Sequence, residues 1–362
     1  MADKTYRKWR RPEPFRAGAQ AGVSPEGRPV LPPRLGGSGH HEGARWTRRM
    51  NDAKLGALCW NQYTDWPSLL EAGRRADRLG FDSLWVWDHL YPIVGDPHGP
   101  FYEGWLTITA WAMATERIRV GLMVGANPYR YPTLVAKMAA TLDHISGGRA
   151  YLGIGASWFE QEAHDFGIEF GSGPGERLRW LGEALPVIRG MLEGSEPSAQ
   201  GGHYDADHVR NDPLPVQRRL PILVGGGGEK VTLKLVAQYA DANNVDGGIE
   251  AVRHKEEVLR RHCEAVGRNE REIERTVGVG VVVIRDSRKE ARRVFLRLFE
   301  NSRIARPWQD QPVGTPEDVA AHLSPYLEIG YRHLIIGHPA PYDEETATRL
   351  ANEVRPMLEK AG

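Results

Sequence analysis

Three short stretches of the chain hold residues with chemistry to offer. In WVWDHL, Asp88 and His89 follow an aromatic, strand-like run. Imidazole titrates near neutrality, so His89 can give or take a proton, and the carboxylate of Asp88 can orient it. The alternative is a histidine that packs or caps, a common fate for one at a strand end. In PILVGGGGEKVT, Gly225, Gly226, Gly227 and Gly228 stand between an apolar run and a helical pattern. The free N–H groups and dipole of a helix start favour an anion, and glycines let the backbone close on it. A phosphate is therefore the expected ligand. A tight turn with positive φ is the competing explanation, and it accounts more readily for one or two of these glycines than for four. In GIGASWFEQE, Gly153 and Gly155 precede Ala156 and Ser157, a second turn that can present N–H groups to the same phosphate.

A fourth stretch, VGLMVGANPYRYP, carries a strand into a turn where Gly125 and Ala126 are small enough for a flat ring to lie against the backbone. An ordinary turn is the plain reading. Trp60, Trp85 and Trp87 at strand ends either line an apolar pocket or fill a core. Several chemistries find no support. Glu229 separates Gly228 from Lys230, which breaks the GxxxxGK[ST] phosphate loop, and the GxGxxG spacing of a dinucleotide site is missing. No CxxC, HExxH or serine–histidine–aspartate spacing occurs, so no metal site and no nucleophilic hydrolysis is expected.

These stretches need elements to position them, and the chain supplies an alternation. Strand-like segments at 54–60, 81–90, 117–126, 149–156, 221–225, 242–247, 276–285 and 333–337 are each followed by a helical pattern. The helices fall at 67–80, 104–116, 131–146, 176–192, 229–240, 250–266, 288–300, 316–329 and 343–359, with a hairpin-like insert at 199–212. Eight βα units in about 300 residues predict a (β/α)8 TIM barrel with insertions rather than an open doubly wound sheet. In that fold the chemistry lies in the loops after the strands, where all four stretches fall.

Composition agrees. A chain of 362 residues, 41% hydrophobic, can bury a large core. Zero formal net charge gives no pull toward nucleic acid or an anionic membrane, and no apolar run is long enough to span a bilayer. Two cysteines, Cys59 and Cys263, make no disulfide framework, and the expected location is the cytoplasm. Residues 1–50 differ from the rest, with eleven Lys/Arg against four Asp/Glu and a Gly/Pro-rich, aperiodic texture. They are expected to form a disordered leader ahead of a barrel over 54–360, with Met50 as the expected true start.

The segments GFDSLWVWDHL, ERIRVGLMVGANPYRYPTLVAKMAATLDHISGGRAYLGIGASWFEQE, PILVGGGGEKVTLKLVAQYADANNV and RHKEEVLRRHCEAVGR resemble the bacterial luciferase-like superfamily of flavin and deazaflavin oxidoreductases. The resemblance runs over residues 54–357 and points to the branch that uses coenzyme F420. It implies a barrel whose mouth holds a phosphate-tailed isoalloxazine-type ring. Gly225, Gly226, Gly227 and Gly228, with Ala156 and Ser157, would hold the phosphate. A bulge near Val124–Gly125, often with a non-proline cis peptide, would support the ring, with Asn127 nearby. Asp88 and His89 would touch cofactor and substrate, with His89 as the proton carrier. The glutamate used as an acid by sugar-phosphate-oxidising members has no match, because Trp158 stands there. The resemblance thus implies hydride transfer between F420 and a small organic substrate, in a homodimer. An FMN-dependent monooxygenase served by a separate reductase is the alternative, and a non-catalytic flavin-binding barrel is the third.

Overall fold

The computed structural model describes residues 53–361 apart from Gly201 and Pro307, so the leader expected over residues 1–50 lies outside the described residues. Strands and helices alternate from β1 (Lys54–Cys59), α1 (Trp66–Arg78), β2 (Ser83–Val86) and α2 (Gly104–Ala114) to β3 (Arg119–Leu122), β4 (Gly125–Ala126) and α3 (Pro132–Ser146). Next come β5 (Leu152–Gly155), α4 (Glu160–Asp165), α5 (Pro174–Glu193), β6 (Ile222–Gly225), α6 (Thr232–Tyr239), β7 (Ala242–Asp246) and α7 (Ile249–Val266). The chain ends with β8 (Glu274–Val281), β9 (Val283–Ile284), α8 (Arg288–Asn301), β10 (Val313–Gly314), α9 (Pro316–Glu328), β11 (His333–His338), α10 (Glu344–Arg349) and α11 (Arg355–Ala361).

The main sheet runs β3-β2-β1-β11-β8-β7-β6-β5-β4, with every pair parallel. β3 and β4 are two halves of one stave, interrupted between Leu122 and Gly125. A parallel bridge between Val120 and Ala150 joins β3 to the chain entering β5, and Tyr151 N–H donates to Val120 O at 2.8 Å. Eight staves therefore close into a barrel, as the alternation predicts.

Local sequence explains the boundaries. α1 starts where Asp65 accepts from Ser68 N–H with Pro67 in the first turn, and the chain leaves it through Gly80 at φ +75°. Several boundaries differ from the expectation: the strand expected over 81–90 is only Ser83–Val86, and the helix expected over 343–359 is divided into α10 and α11. α6 begins at Thr232, because Glu229–Val231 form a turn instead of extending the helix toward the glycines. The long strand expected over 276–285 stops at Val281, and β9 pairs with β10 in a separate two-stranded sheet. The insert keeps its hairpin character, with Ala199 and Ala206 exchanging both backbone hydrogen bonds.

Strand residues alternate between two cores. Leu84 and Val86 join the large shell beneath the helices, while Trp85 packs with Tyr151, Leu223, Ala242 and Ile335 in a separate cluster. Each member of that cluster comes from a different strand or its approach, which is how a filled barrel interior looks. The first residues of four strands form a polar plug at the opposite end from the candidate site. Ser83 Oγ lies 2.6 Å from His333 Nε2, and Glu274 accepts from Lys54 and from the Tyr151 hydroxyl, both at 2.5 Å. Burial works against the charge of Glu274, yet His333 and Lys54 hold its carboxyl well below the usual range.

Candidate active site

Two adjoining cavities of about 440 and 880 Å3 open at the C-terminal ends of the strands and share Leu58, Trp87, Ile93, Trp158 and Asp246. The smaller is lined by Asp88, His89, Val124, Gly125, Ala156, Ser157, Gly225 and Gly226 from four neighbouring staves, so the structure brings these expected residues together. Gly227 and Gly228 line an open groove beside it, with Lys230 and Thr232. Asn127 is not among the lining residues: it is buried, and its amide donates to the Tyr204 hydroxyl at 3.0 Å. Trp87 lines both cavities and Trp60 the larger, whereas Trp85, one layer down, belongs to the barrel filling.

The floor of the smaller cavity is built from close backbone packing. The Met123–Val124 peptide is cis, one residue before the expected Val124–Gly125. A Cβ on Gly153 would lie 1.9 Å from Leu122 O. A Cβ on Gly155 or Gly225 would lie 2.8 Å from a Val124 methyl. Val124 thus sits in a seat that only glycines leave open. Gly226 has φ +111°, a backbone that side chains avoid. Two of the four consecutive glycines are accounted for by this packing and this turn. Gly227 and Gly228 border the open groove.

Ala156 and Ser157 follow β5 directly, and Ser157 holds φ +63°. Its buried hydroxyl lies near the Tyr129 phenol but outside hydrogen-bonding geometry, which leaves it available to a ligand. Ser157 O accepts a long contact, 3.4 Å, from Arg177 Nε.

His89 and Asp88 go to different partners. His89 Nδ1 lies 2.5 Å from Glu162 Oε1, and its ring packs edge-on to Trp158 with centroids 5.5 Å apart. Asp88, expected to orient His89, instead takes both Nη atoms of Arg130 at 2.7 and 3.0 Å and accepts from Ala126 N–H at 2.9 Å. It thereby ties the exit of β2 to β4, and the orienting carboxylate is Glu162. Neighbours in an extended segment point opposite ways, so one cannot serve the other.

Glu162 is 0% exposed and accepts from four donors: His89 Nδ1, Leu90 N–H at 2.7 Å, Tyr91 N–H at 3.2 Å and the Tyr129 hydroxyl. Burial alone would raise its pKa; the hydrogen bond and charge of His89, then Leu90 N–H and Tyr129, outweigh burial and hold it below the usual carboxylate range. An ionised Glu162 can only accept, so the Nδ1 proton stays on His89 and Nε2, with no protein partner among the described residues, is the nitrogen left to meet a ligand. Sequence reading missed Glu162, Tyr129, Trp308 and Asp246. No local signal marked them, since each acts through contacts distant along the chain.

Residues 51–340 match the family described as luciferase-like monooxygenase. The F420-dependent glucose-6-phosphate dehydrogenase of Amycolatopsis mediterranei (strain U-32) is 26% identical over 326 residues, covering 81% of this chain and 95% of that protein. The 4-hydroxyprotoasukamycin monooxygenase of Streptomyces nodosus subsp. asukaensis is 33% identical over 175 residues, 48% of this chain and 45% of that one. Among solved structures, an F420-dependent secondary alcohol dehydrogenase in complex with an F420-acetone adduct superposes with a TM-score of 0.72 at 22% identity, covering 85% of this chain and 99% of that chain.

Proposed function

Because this chain belongs to the luciferase-like monooxygenase family and is an oxidoreductase, we propose that its cofactor is coenzyme F420 and its substrate a small organic molecule. The observation that carries this reading is one cavity bounded by the glycine-seated Val124, the unpaired Ser157 hydroxyl and the His89–Glu162 couple. The residues fit the group: Ala156, Ser157 and Gly225 to Gly228 would hold its phosphate, and Val124 and Gly125 would support its ring. Bound there, F420 supplies a hydride at a ring carbon and reacts poorly with oxygen, so the coupled proton falls to the protein. His89 carries that proton at Nε2, Glu162 holds the ring in orientation, and Asp88 fixes the neighbouring backbone. Buried free thiols and the absence, among the described residues, of any helix long and apolar enough to cross a membrane fit a cytoplasmic enzyme. The second reading is an FMN monooxygenase with a separate reductase, which the monooxygenase relative favours.

Titration of the protein with F420 and, separately, FMN decides between them. Tighter binding of F420 is expected, and binding of FMN alone turns the assignment to the monooxygenase. Gly228→Val narrows the groove, because its Cβ would already stand 2.8 Å from Thr232 Oγ1. Cofactor affinity is expected to fall at least tenfold, about 1.4 kcal/mol. An unchanged affinity in the folded variant would make this stretch a turn and nothing more.

We also propose that the chain forms a homodimer through α2 and α3. Leu106 and Met113, seven apart on one face of α2, are each 73% exposed, and Leu134 and Ile145 are exposed on the adjoining α3. Light scattering should give twice the chain mass, and Met113→Asp should reduce it toward one chain. A monomeric wild type sinks the idea.

A further inference from the structure

The larger cavity has a lining of unusual charge and ring content. Trp60, Trp87, Trp158 and Trp308 face it, and Trp60 lies 5.0 Å from Trp87 and 5.7 Å from Trp308 between ring centroids. No lysine or arginine lines either cavity among the described residues, while Asp246 and Asp310 do. His322 is also present, and burial pushes its pKa down against the pull of Asp310, so it is uncharged at neutral pH.

Asp246 ends β7 at the junction of the two cavities. Its carboxylate makes no hydrogen bond or ion pair with any described residue, and the one bond to Asp246 from a side chain reaches its backbone oxygen. The nearby ammonium of Lys255 donates at 2.7 Å to that backbone oxygen and acts on the carboxylate by charge without forming an ion pair with it. The carboxylate occupies the space that Gly278 leaves on the neighbouring strand, where a Cβ would stand 2.0 Å from Oδ1. Asp246 is exposed at the cavity mouth, where the surrounding strand ends and loops partly shield it and raise its pKa, with Lys255 opposing. A carboxylate with no partner, set in a cavity walled by aromatic rings, gains from a ligand that brings a positive charge. Tryptophan faces attract the same kind of ligand through their quadrupoles.

Resting on the oxidoreductase reading above, we propose that the larger cavity selects an organic cation, a substrate whose protonated amine or quaternary ammonium group sits between Asp246 and the tryptophan faces. The same lining repels a sugar phosphate, since it holds no cationic side chain to pair with the anion and presents two carboxylates. Asp246 is then a specificity-determining residue, and the departure at Trp158 from the sugar-phosphate pattern belongs to the same change of substrate.

The test uses the full chain, first titrated with F420 by absorbance and then with three probes by tryptophan fluorescence: benzyltrimethylammonium, benzyl alcohol and benzylphosphonate. The cation should bind at least tenfold tighter than the other two at pH 8. Its affinity should weaken as the pH falls and Asp246 is protonated. The other titratable groups around the cavity are Lys255, His89, Asp88, Asp310, His322 and Tyr326, so the slope is assigned by substitution. Asp246→Asn should lose the tenfold preference and flatten the slope, and Asp246→Ser repeats the comparison should the first variant fail to fold. Benzylphosphonate binding as tightly as the cation, no binding of the cation at all, or an undiminished preference in the variants would each overturn the proposal. Failure to load F420 with the cation preference intact would instead sink the cofactor assignment and leave this one standing.

Discussion

His89→Ala is expected to lower turnover per mole of cofactor-loaded protein by about 10²- to 10⁴-fold, the usual contribution of a positioned acid or base. The expectation follows from placement and chemistry together. His89 stands just past β2, lines the cavity and presents an unpartnered Nε2 while Nδ1 is held by Glu162. Hydride delivery to a carbonyl or activated double bond leaves an anion that needs a proton, and the reverse reaction needs a base. The expected phosphate residues lie at and just past the ends of β5 and β6, so cofactor affinity should change far less than turnover. His89→Asn separates two roles, since an amide keeps hydrogen bonding but moves no proton near neutral pH; it should stay as impaired as alanine in turnover while recovering substrate affinity. The competing account makes His89 a packing residue against Trp158 and Phe159. Alanine would then cost stability alone, and full activity in the folded, loaded fraction would remove His89 from the mechanism.

The barrel is legible in the sequence because parallel strands buried on both faces read as short apolar runs, and HLIIGH in β11 is buried throughout. The βα count survives even where boundaries move, since the turn at Glu229–Val231 shortens α6 without removing it. The interruption of the third stave is different. Nothing in the apolar period of RIRVGLMVGA separates β3 from β4, and the bend there follows from the family resemblance rather than from pattern. The glycine run shows how one signal can mix causes. Gly225 makes room for Val124 and Gly226 takes a left-handed backbone, while Gly227 and Gly228 border the open groove. Sequence reading treats the four alike because packing against a residue a hundred positions away leaves no local mark.

The two carboxylates near His89 show the limit most clearly. Asp88 is adjacent in the chain and therefore the natural orienter to name, yet alternation along an extended backbone sends it to Arg130 and Ala126. The actual partner, Glu162, is 73 residues on, in a short helix whose sequence, EQEAHD, looks like a solvated face. A buried carboxylate is recognisable only once its donors are in place.

Glu162→Gln is the sharper test of how the couple works. The substitution keeps the size of the side chain but turns two acceptor oxygens into one oxygen and an NH2 group. One acceptor must now serve Leu90 N–H, Tyr91 N–H, the Tyr129 hydroxyl and His89 Nδ1. At least one buried donor is left unsatisfied, a cost of about 1–3 kcal/mol. Glu162→Ala removes every acceptor, and about 3–5 kcal/mol is expected. Catalysis should suffer in parallel. An amide donor facing Nδ1 drives the histidine proton to Nε2, the wrong tautomer for a base at that atom, and turnover should fall by about 10²-fold or more with cofactor affinity little changed. The pH dependence has a definite sign. The carboxyl of Glu162 is held below its unfolded value near 4.5, so its stabilising contribution is fully present above that pH and is lost as the pH falls through the folded-state pKa. Wild type should therefore exceed Glu162→Gln in unfolding free energy at and above about pH 4.5, and the contribution of the Glu162 carboxylate should be lost as the pH falls below it. A merely structural carboxylate would give the same stability curve with turnover intact in the folded variant. Turnover within a few-fold of wild type, measured per mole of loaded protein, would therefore show that Glu162 supports the loop and does not set the proton on His89.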